Sequence, residues 1–228
     1  LARRNVPALS VPLMAPSYHA PEISASSKFS GVMLTSRHAV TGLCAATGGK
    51  LDDRIARLPA FAVGRATGRA AREAGFRNVT IGHGGGAGFV PLITKAALRL
   101  DGPLLWPAAV HRGFDMAAAL DGIADVVTKP VYEMRETEVL PDDAVVAIAG
   151  GNVLGVILMS ARSARLFRER LLALGQDRAV ASMALIAGSD AIVAAAGDNW
   201  AETFVSKRPA RARLLAIASL LYDRRTRS

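Results

Sequence analysis

The chain has 228 residues, of which 51% are hydrophobic and 21% charged, a composition that excludes a disordered or fibrous protein and allows one large domain or two smaller ones. Its net charge of +9, carried mostly by arginine, indicates an anionic partner or a solvated basic surface. The single cysteine, Cys44, excludes an internal disulfide and a paired-cysteine zinc site, so we expect a reducing, cytoplasmic location. The longest uncharged run, which contains residues 144–159 and ends before Arg162, is shorter than the roughly 20 residues that a membrane-spanning helix needs.

Short apolar segments alternate along the chain with longer segments of helical period, the pattern of a parallel sheet with helices packed on its faces. The predicted fold class is therefore α/β, with doubly wound parallel sheets. In chain order, the predicted strands are residues 8–14, 31–35, 60–63, 78–81, 104–106, 125–131, 144–149, 156–159 and 183–187. The predicted helices are residues 37–46, 66–74, 89–100, 115–122, 164–174, 190–196 and 210–222.

Two stretches interrupt this alternation and are predicted to be linkers. Residues 15–27 are rich in Pro, Ser and Ala, and residues 129–141 are charged and extended, with no helical face. If the chain crosses between two domains at these points, residues 28–128 form an inserted domain. Residues 1–14 together with 142–228 then form a second, discontinuous domain.

An internal similarity supports two domains of one kind. Residues 33–40 resemble residues 158–165, because each is an apolar strand that ends in hydroxyl residues before a helix. A second strand and helix follow at nearly equal spacing, from Ser36 to Gly64 in the first case and from Ser160 to Ser189 in the second.

Five segments follow one another along the chain: Leu-Thr-Ser-Arg-His-Ala-Val at 34–40, Val-Gly-Arg-Ala-Thr at 63–67 with Gly-Phe at 75–76, Val-Tyr-Glu at 131–133, Ser-Ala-Arg-Ser at 160–163, and the closing stretch 200–209, a tryptophan, a strand, two basic residues and a proline. The order and spacing of these segments resemble those of the uroporphyrinogen-III synthases over nearly the whole chain.

The resemblance implies two doubly wound domains joined by a two-stranded linker, with the active site in the interdomain cleft. It also implies a cofactor-free, metal-free cyclising lyase of tetrapyrrole and heme biosynthesis. The implied reaction converts hydroxymethylbilane, which carries eight carboxylates, into uroporphyrinogen III with inversion of ring D and loss of water. The implied protein is a monomer that receives substrate from hydroxymethylbilane synthase and binds neither nucleic acid nor membrane.

The implied site residues lie in turns after strands, where ligands bind in such sheets. Tyr132 is the candidate proton donor for the departing hydroxyl, with packing between the linker strands as the alternative role of its ring. The candidate substrate-binding residues are Thr35, Ser36, Arg37, Gly64, Arg65, Thr67, Ser160, Arg162, Ser163, Ser189, Lys207 and Arg208. Helix capping is the alternative for the hydroxyl residues, and an ordinary surface position is the alternative for the cations.

The sequence departs from the family pattern in three places. The opening strand and helix are absent, since Leu1 is followed by residues typical of a helix end, and a form that includes them is expected to be more stable and active. The turns at residues 83–88 and 188–191 also differ from the more acidic and more hydroxyl-rich turns of relatives.

Other classes of protein are less well supported by the residues. The glycine-rich residues 82–88 lack the ending of a phosphate loop and the spacing of a dinucleotide site, and the four histidines lack metal-ligand spacing. No nucleophile elbow of a serine hydrolase occurs. Two alternatives stay open: a non-catalytic domain of the same fold that binds a tetrapyrrole or another polyanion, and a basic nucleic-acid binder, which the few aromatic residues disfavour.

Overall fold

The computed structural model describes residues 1, 5–21, 23, 27–45, 48–206 and 211–226. The strands are β1 (Met14–Tyr18), β2 (Gly31–Leu34), β3 (Pro59–Ala62), β4 (Asn78–Ile81), β5 (Leu104–Ala109), β6 (Val126–Glu136), β7 (Gly155–Leu158), β8 (Ala184–Ala187) and β9 (Glu202–Val205). The helices are α1 (Arg37–Ala45), α2 (Asp53–Ala56), α3 (Arg65–Glu73), α4 (Gly86–Ala97), α5 (Met116–Ala119), α6 (Asp142–Ala149), α7 (Ala161–Ala173), α8 (Asp190–Ala196) and α9 (Arg211–Thr226). A 3-10 helix spans Asp177–Ser182.

The chain divides into two compact units. Unit 1 comprises Leu1–Ala15 and Glu136–Ser228, and unit 2 comprises Pro16–Arg135. The domain limits predicted from the sequence place the two points where the chain passes between domains within residues 15–27 and 129–141. The proposal that these units are two domains joined by linker strands stays a prediction.

Unit 2 is built on a sheet with strand order β1-β6-β5-β2-β3-β4. Neighbouring strands are parallel from β6 to β4. Strand β2 lies between them because β3 and β4 follow on one side of it and β5 and β6 on the other. Alternate residues of β2 enter different cores: Val32 and Leu34 pack with residues of α1 and α3, and Met33 packs with residues of α4 and α5. Helices therefore cover both faces of this sheet.

Strand β1 pairs with β6 at the edge of the unit 2 sheet. The His19 amide donates to the Val131 carbonyl at 2.9 Å, and the Thr137 amide donates to the Leu13 carbonyl at 3.1 Å. Residue numbers rise along one strand as they fall along the other, so the pair is antiparallel. This register places Tyr18 opposite Tyr132.

Unit 1 contains a parallel sheet with strand order β7-β8-β9. Leu185 and Ala187 of β8 pack in one core with residues of α7 and α8, and Ala184 and Ile186 pack in another with residues of α9. The period of two along β8 again buries both faces under helices. The predicted fold class, α/β with parallel sheets, is confirmed.

The predicted strand at residues 144–149 is wrong, because this segment is part of helix α6. Asp142 and Asp143 lie in its first turn, where carboxylates interact favourably with the helix dipole, and the Asp143 carboxylate accepts a hydrogen bond from the Ala144 amide at 2.8 Å. Ala144 and Ile148, four positions apart, are buried, whereas Val146 is 71% exposed. An apolar run of this length does not by itself distinguish a buried strand from a helix.

The predicted strand at residues 8–14 is also wrong, since only Met14 belongs to a strand. Pro12 has no amide hydrogen to donate to a ladder. The segment instead lines an apolar cavity of about 460 Å³ in unit 1, together with residues of α6, β7 and α9.

The internal similarity corresponds to the same arrangement in both units. In unit 2, Ser36 precedes α1 and Gly64 precedes α3, after the parallel neighbours β2 and β3. In unit 1, Ser160 precedes α7 and Ser189 precedes α8, after the parallel neighbours β7 and β8.

Candidate active site

The carboxyl ends of the parallel strands of unit 2 form one edge, and backbone hydrogen bonds connect the turns that follow them. The Val63 amide donates to the Leu34 carbonyl at 2.9 Å, and the Gly84 amide donates to the Val63 carbonyl at 2.8 Å. On the other side of β2, the Val110 amide donates to the Tyr132 carbonyl at 2.9 Å. We call this the unit 2 carboxyl edge. Sheets of this type bind ligands at such an edge, at the point where the strand order reverses, here between β2 and β5.

Thr35 lies at that reversal point and contacts a buried tryptophan. The Trp106 indole Nε1–H donates to the Thr35 hydroxyl at 3.2 Å, and Trp106 is 3% exposed. The guanidinium carbon of Arg112 lies 5.5 Å from the centre of the Trp106 ring, within the range of a cation–π interaction.

Tyr18, His38 and Tyr132 form a second group at the same edge, which we call the three-ring cluster. The Tyr18 hydroxyl lies 2.9 Å from Nδ1 of His38, and the His38 and Tyr132 ring centres are 5.5 Å apart. The rings meet because Tyr18 and Tyr132 face each other across β1 and β6 and because His38 lies in the first turn of α1. The Tyr132 hydroxyl makes no hydrogen bond within the part of the chain that the structure describes.

The surroundings of His38 favour its neutral form. Burial, and to a lesser extent the positive charge of Arg37, lower the pKa of the imidazole. A neutral ring that accepts the Tyr18 hydroxyl proton through Nδ1 carries its own proton on Nε2.

The other candidate residues of unit 2 divide into helix-start positions and cations. The Ser36 hydroxyl accepts the His38 amide at 3.1 Å, which is a helix cap. Gly64 is the N-cap of α3 and has no side chain to satisfy its first amides, while Thr67 is 6% exposed, which favours a packing role. Arg37 and Arg65 are exposed, and neither side chain forms an ion pair with another described residue.

The carboxyl ends of β7 and β8 in unit 1 carry the remaining described candidates. The Ser160 hydroxyl accepts the Ser163 amide at 3.0 Å and donates to the Ser163 hydroxyl at 2.8 Å, whereas the Ser189 side chain makes no capping bond. Arg162 donates to the Glu136 carboxylate at 3.0 Å, and Arg165 contacts the same oxygen at 3.4 Å. The hydrogen bond from Arg162 lowers the pKa of Glu136.

Comparison with known proteins identifies the family. The family model described as uroporphyrinogen-III synthase HemD matches residues 1–216. The chain belongs to the uroporphyrinogen-III synthase family. This membership confirms the predicted enzyme class, a cyclising lyase of tetrapyrrole and heme biosynthesis.

The fold is shared with a solved structure of this family. The uroporphyrinogen-III synthetase of Helicobacter pylori 26695 aligns with a TM-score of 0.63 and 17% identity over 92% of this chain and 91% of that one. A mutant uroporphyrinogen III synthase of Thermus thermophilus aligns with a TM-score of 0.48 and 16% identity over 93% and 88% of the two chains. No curated protein sequence matches the chain.

Several residues at the candidate site of this uroporphyrinogen-III synthase family member are not predicted from the sequence. Trp106 lies within β5 and Arg112 follows that strand, and both are outside the segments that carry the family resemblance. His38 is not among the site residues predicted from the sequence, and Tyr18 falls in a predicted linker, because the register that sets Tyr18 against Tyr132 has no local sequence signal. The candidates Lys207 and Arg208 lie outside the described residues.

A cavity of about 260 Å³ in unit 2 lies away from these groups. It is lined by Leu100, Gly102, Ile123 and neighbouring residues at the amino ends of β5 and β6. It is therefore at the edge opposite to the one where ligands of such sheets bind.

Two further observations concern metals and membranes. Over the described ranges, no group of three or more His, Cys, Asp or Glu residues is placed to hold a metal ion. Among the same residues, no helix is both long enough and apolar enough to cross a bilayer.

Proposed function

We propose that the chain converts hydroxymethylbilane into uroporphyrinogen III, with inversion of ring D and release of water. The observation that carries the proposal is the Tyr132 phenol at the unit 2 carboxyl edge, whose hydroxyl has no hydrogen-bond partner among the described residues and lies in a cluster held by His38. A phenol in this position is able to donate its proton to a ligand.

In the proposed first step, the Tyr132 phenol gives its proton to the terminal hydroxyl of hydroxymethylbilane as the carbon–oxygen bond breaks. Water leaves, and the electrons of the pyrrole nitrogen stabilise the carbon as an azafulvene cation. The tyrosinate left behind is adjacent to this cation and stabilises it electrostatically.

In the following steps, the substituted α-carbon of ring D attacks the cationic carbon and forms a spiro intermediate. The bond from this ring D carbon to its original methylene bridge then breaks, which leaves an azafulvene cation on ring C. The other α-carbon of ring D attacks this second cation and closes the macrocycle with ring D inverted.

Closure releases one proton from a pyrrole carbon, and this proton restores the Tyr132 phenol. The protein gains and loses no net proton over the cycle. The main contribution required of the protein is to hold the bound substrate in a conformation that favours the inverted attack over the direct one.

To bind the eight carboxylates of the substrate, the protein needs cations that are not already in ion pairs and backbone amides that are not already hydrogen-bonded. Arg37 and Arg65 are exposed beside the turns after β2 and β3, and neither is ion-paired to a described residue. Thr35, Ser36 and the uncapped amides at the start of α3 add hydrogen-bond donors. Ser160, Arg162, Ser163 and Ser189 of unit 1, and the predicted interdomain cleft, stay predictions.

We further propose that the protein acts as a monomer in the cytoplasm and receives its substrate from hydroxymethylbilane synthase. The single cysteine of the sequence suits a reducing compartment. The substrate is a reactive linear chain, so a short path between the two enzymes limits its spontaneous closure.

The test is to supply freshly made hydroxymethylbilane to the purified protein and to resolve the ring isomers. We expect enrichment of the type III isomer over the type I ring that forms spontaneously. Formation of type I alone, at the rate of a protein-free sample, would contradict the proposal. Tight binding of the tetrapyrrole without turnover would instead support a sensor domain of the same fold.

A further inference from the structure

Arg112 is held in a fixed orientation at the unit 2 carboxyl edge. Its Nη1 donates to the Ala109 carbonyl at 2.8 Å and lies 3.5 Å from the Val110 carbonyl. Its planar group lies over the Trp106 ring, with the guanidinium carbon 5.5 Å from the ring centre. Two independent contacts therefore fix a side chain that is flexible on most protein surfaces.

The support beneath Arg112 is rigid. Trp106 is 3% exposed and packs in the core between the sheet and helices α4 and α5. Its indole nitrogen is bonded to the Thr35 hydroxyl across the point where the strand order reverses. Arg112 therefore contacts the same tryptophan ring that donates a hydrogen bond to Thr35, which lies at the reversal point where a ligand is expected.

The positive charge of Arg112 is not compensated by a carboxylate of the described residues. Asp115, three positions away, is engaged as the cap of α5, where it accepts the amides of Ala117 and Ala118 at 3.0 and 3.2 Å. The Nε and Nη2 groups of Arg112 make no hydrogen bond within the described ranges. An oriented guanidinium with unused N–H groups is suited to a two-pronged bond with a carboxylate.

We propose that Arg112 binds one of the carboxylates of the linear tetrapyrrole and so helps to fix the substrate at the unit 2 carboxyl edge. This inference rests on the proposed function. The side-chain carboxylates of the substrate keep their charge throughout the proposed reaction, so this contact is expected to be equally strong in the ground state and the transition state. Its loss should therefore raise KM and leave kcat nearly unchanged.

The test compares Arg112→Gln with Arg99→Gln in steady-state turnover of hydroxymethylbilane. Arg99 follows α4, near the opposite edge of the sheet, and is also exposed, so the control removes the same charge elsewhere. We expect Arg112→Gln to raise KM by about tenfold, as for loss of one charge-assisted contact, with kcat within about twofold of the parent. The control should leave both constants unchanged.

Two further variants separate charge from geometry. Arg112→Lys keeps the charge but loses the planar fork, so its KM should lie between those of the parent and Arg112→Gln. Trp106→Phe keeps a ring beneath the guanidinium but loses the bond to Thr35, and it should raise KM by a smaller factor.

The isomer assay on the parent protein separates failure of the proposed function from failure of the role of Arg112. If the parent protein makes no type III isomer, the proposed function fails and this inference fails with it. If the parent makes type III and Arg112→Gln has the same KM as the parent, only the role of Arg112 is overturned. Equal rises in KM for Arg112→Gln and Arg99→Gln would also overturn it, because the effect would then be one of net charge.

Discussion

In unit 2, Ser36 and Gly64 precede two helices that follow neighbouring parallel strands, and in unit 1 Ser160 and Ser189 occupy the same positions. The cations beside these turns differ. Arg37 and Arg65 form no ion pair with the described residues, whereas Arg162 donates to Glu136 at 3.0 Å. An anion that binds Arg162 has to compete with Glu136, while an anion that binds Arg37 does not. A shared backbone arrangement therefore does not imply a shared capacity to bind carboxylates.

Substitutions in the two cores should have the greatest effect, and they test whether the two units unfold independently. Leu105→Ala in unit 2 and Leu185→Ala in unit 1 each remove a side chain that is 0% exposed, and each should cost about 3 kcal/mol of unfolding free energy. Chemical denaturation followed by unit-specific hydrogen exchange would show which residues lose protection. If the units are domains, each variant weakens mainly its own unit. Equal loss of protection in both units for both variants would indicate one cooperative body.

The next effect concerns Tyr132. Tyr132→Phe removes the proposed proton donor and keeps the ring, so kcat should fall by about tenfold or more while KM changes little, as for loss of general-acid catalysis. Tyr222→Phe is the matched control, since Tyr222 lies in α9 and lines the apolar cavity of unit 1. A Tyr132→Phe protein with the kcat of the parent would assign the ring to packing alone.

A smaller effect tests the contrast between the two edges directly. Arg37→Gln should raise KM for hydroxymethylbilane by about fivefold, because an unpaired cation near the substrate is lost. Arg162→Gln should change KM by less than about twofold, since Arg162 already donates to the Glu136 carboxylate and a substrate carboxylate has to compete with it. Glu136→Gln frees Arg162 and should not raise KM. The opposite order of the two arginine variants would mean that the paired edge is the one that binds substrate.

The smallest effect is a dependence of stability on pH that comes from His38. The pKa of His38 is lowered in the folded protein, so its contribution to stability is complete above the unfolded value of about 6.5 and is lost as pH falls below it toward the folded pKa. In His38→Asn, which keeps a side-chain acceptor near Tyr18, this part of the pH dependence should disappear. Urea denaturation of both proteins between about pH 7.5 and about pH 5 measures it. A parent and variant with parallel profiles would show that His38 titrates normally.

The fold is predictable where local signals and tertiary packing agree. The alternation of strands and helices and the repeated turns at Ser36 and Ser160 identify parallel sheets, because such turns are short and carry helix caps. The segment at residues 144–149 is not predictable from its apolar character. Its helical state depends on the carboxylates Asp142 and Asp143 and on the core that buries one face.

The site is only partly predictable, for reasons of register and pairing. Thr35 and Tyr132 follow from motif positions, but the contact of Trp106 with Thr35 joins residues 71 positions apart, and the pairing of Tyr18 with Tyr132 depends on an antiparallel register. The ion pair of Arg162 with Glu136, 26 positions away, is likewise a tertiary feature. Sequence patterns locate the turns and do not show which cations are paired.

Substrate and product are proposed to bind at the unit 2 carboxyl edge. The most direct measurement is hydrogen exchange of the protein with and without uroporphyrinogen III under exclusion of oxygen. We expect the product to slow exchange in peptides that contain Thr35 to His38 and Val110 to Arg112. Slower exchange confined to the cavity at the opposite edge, around Gly102 and Ile123, would contradict the account.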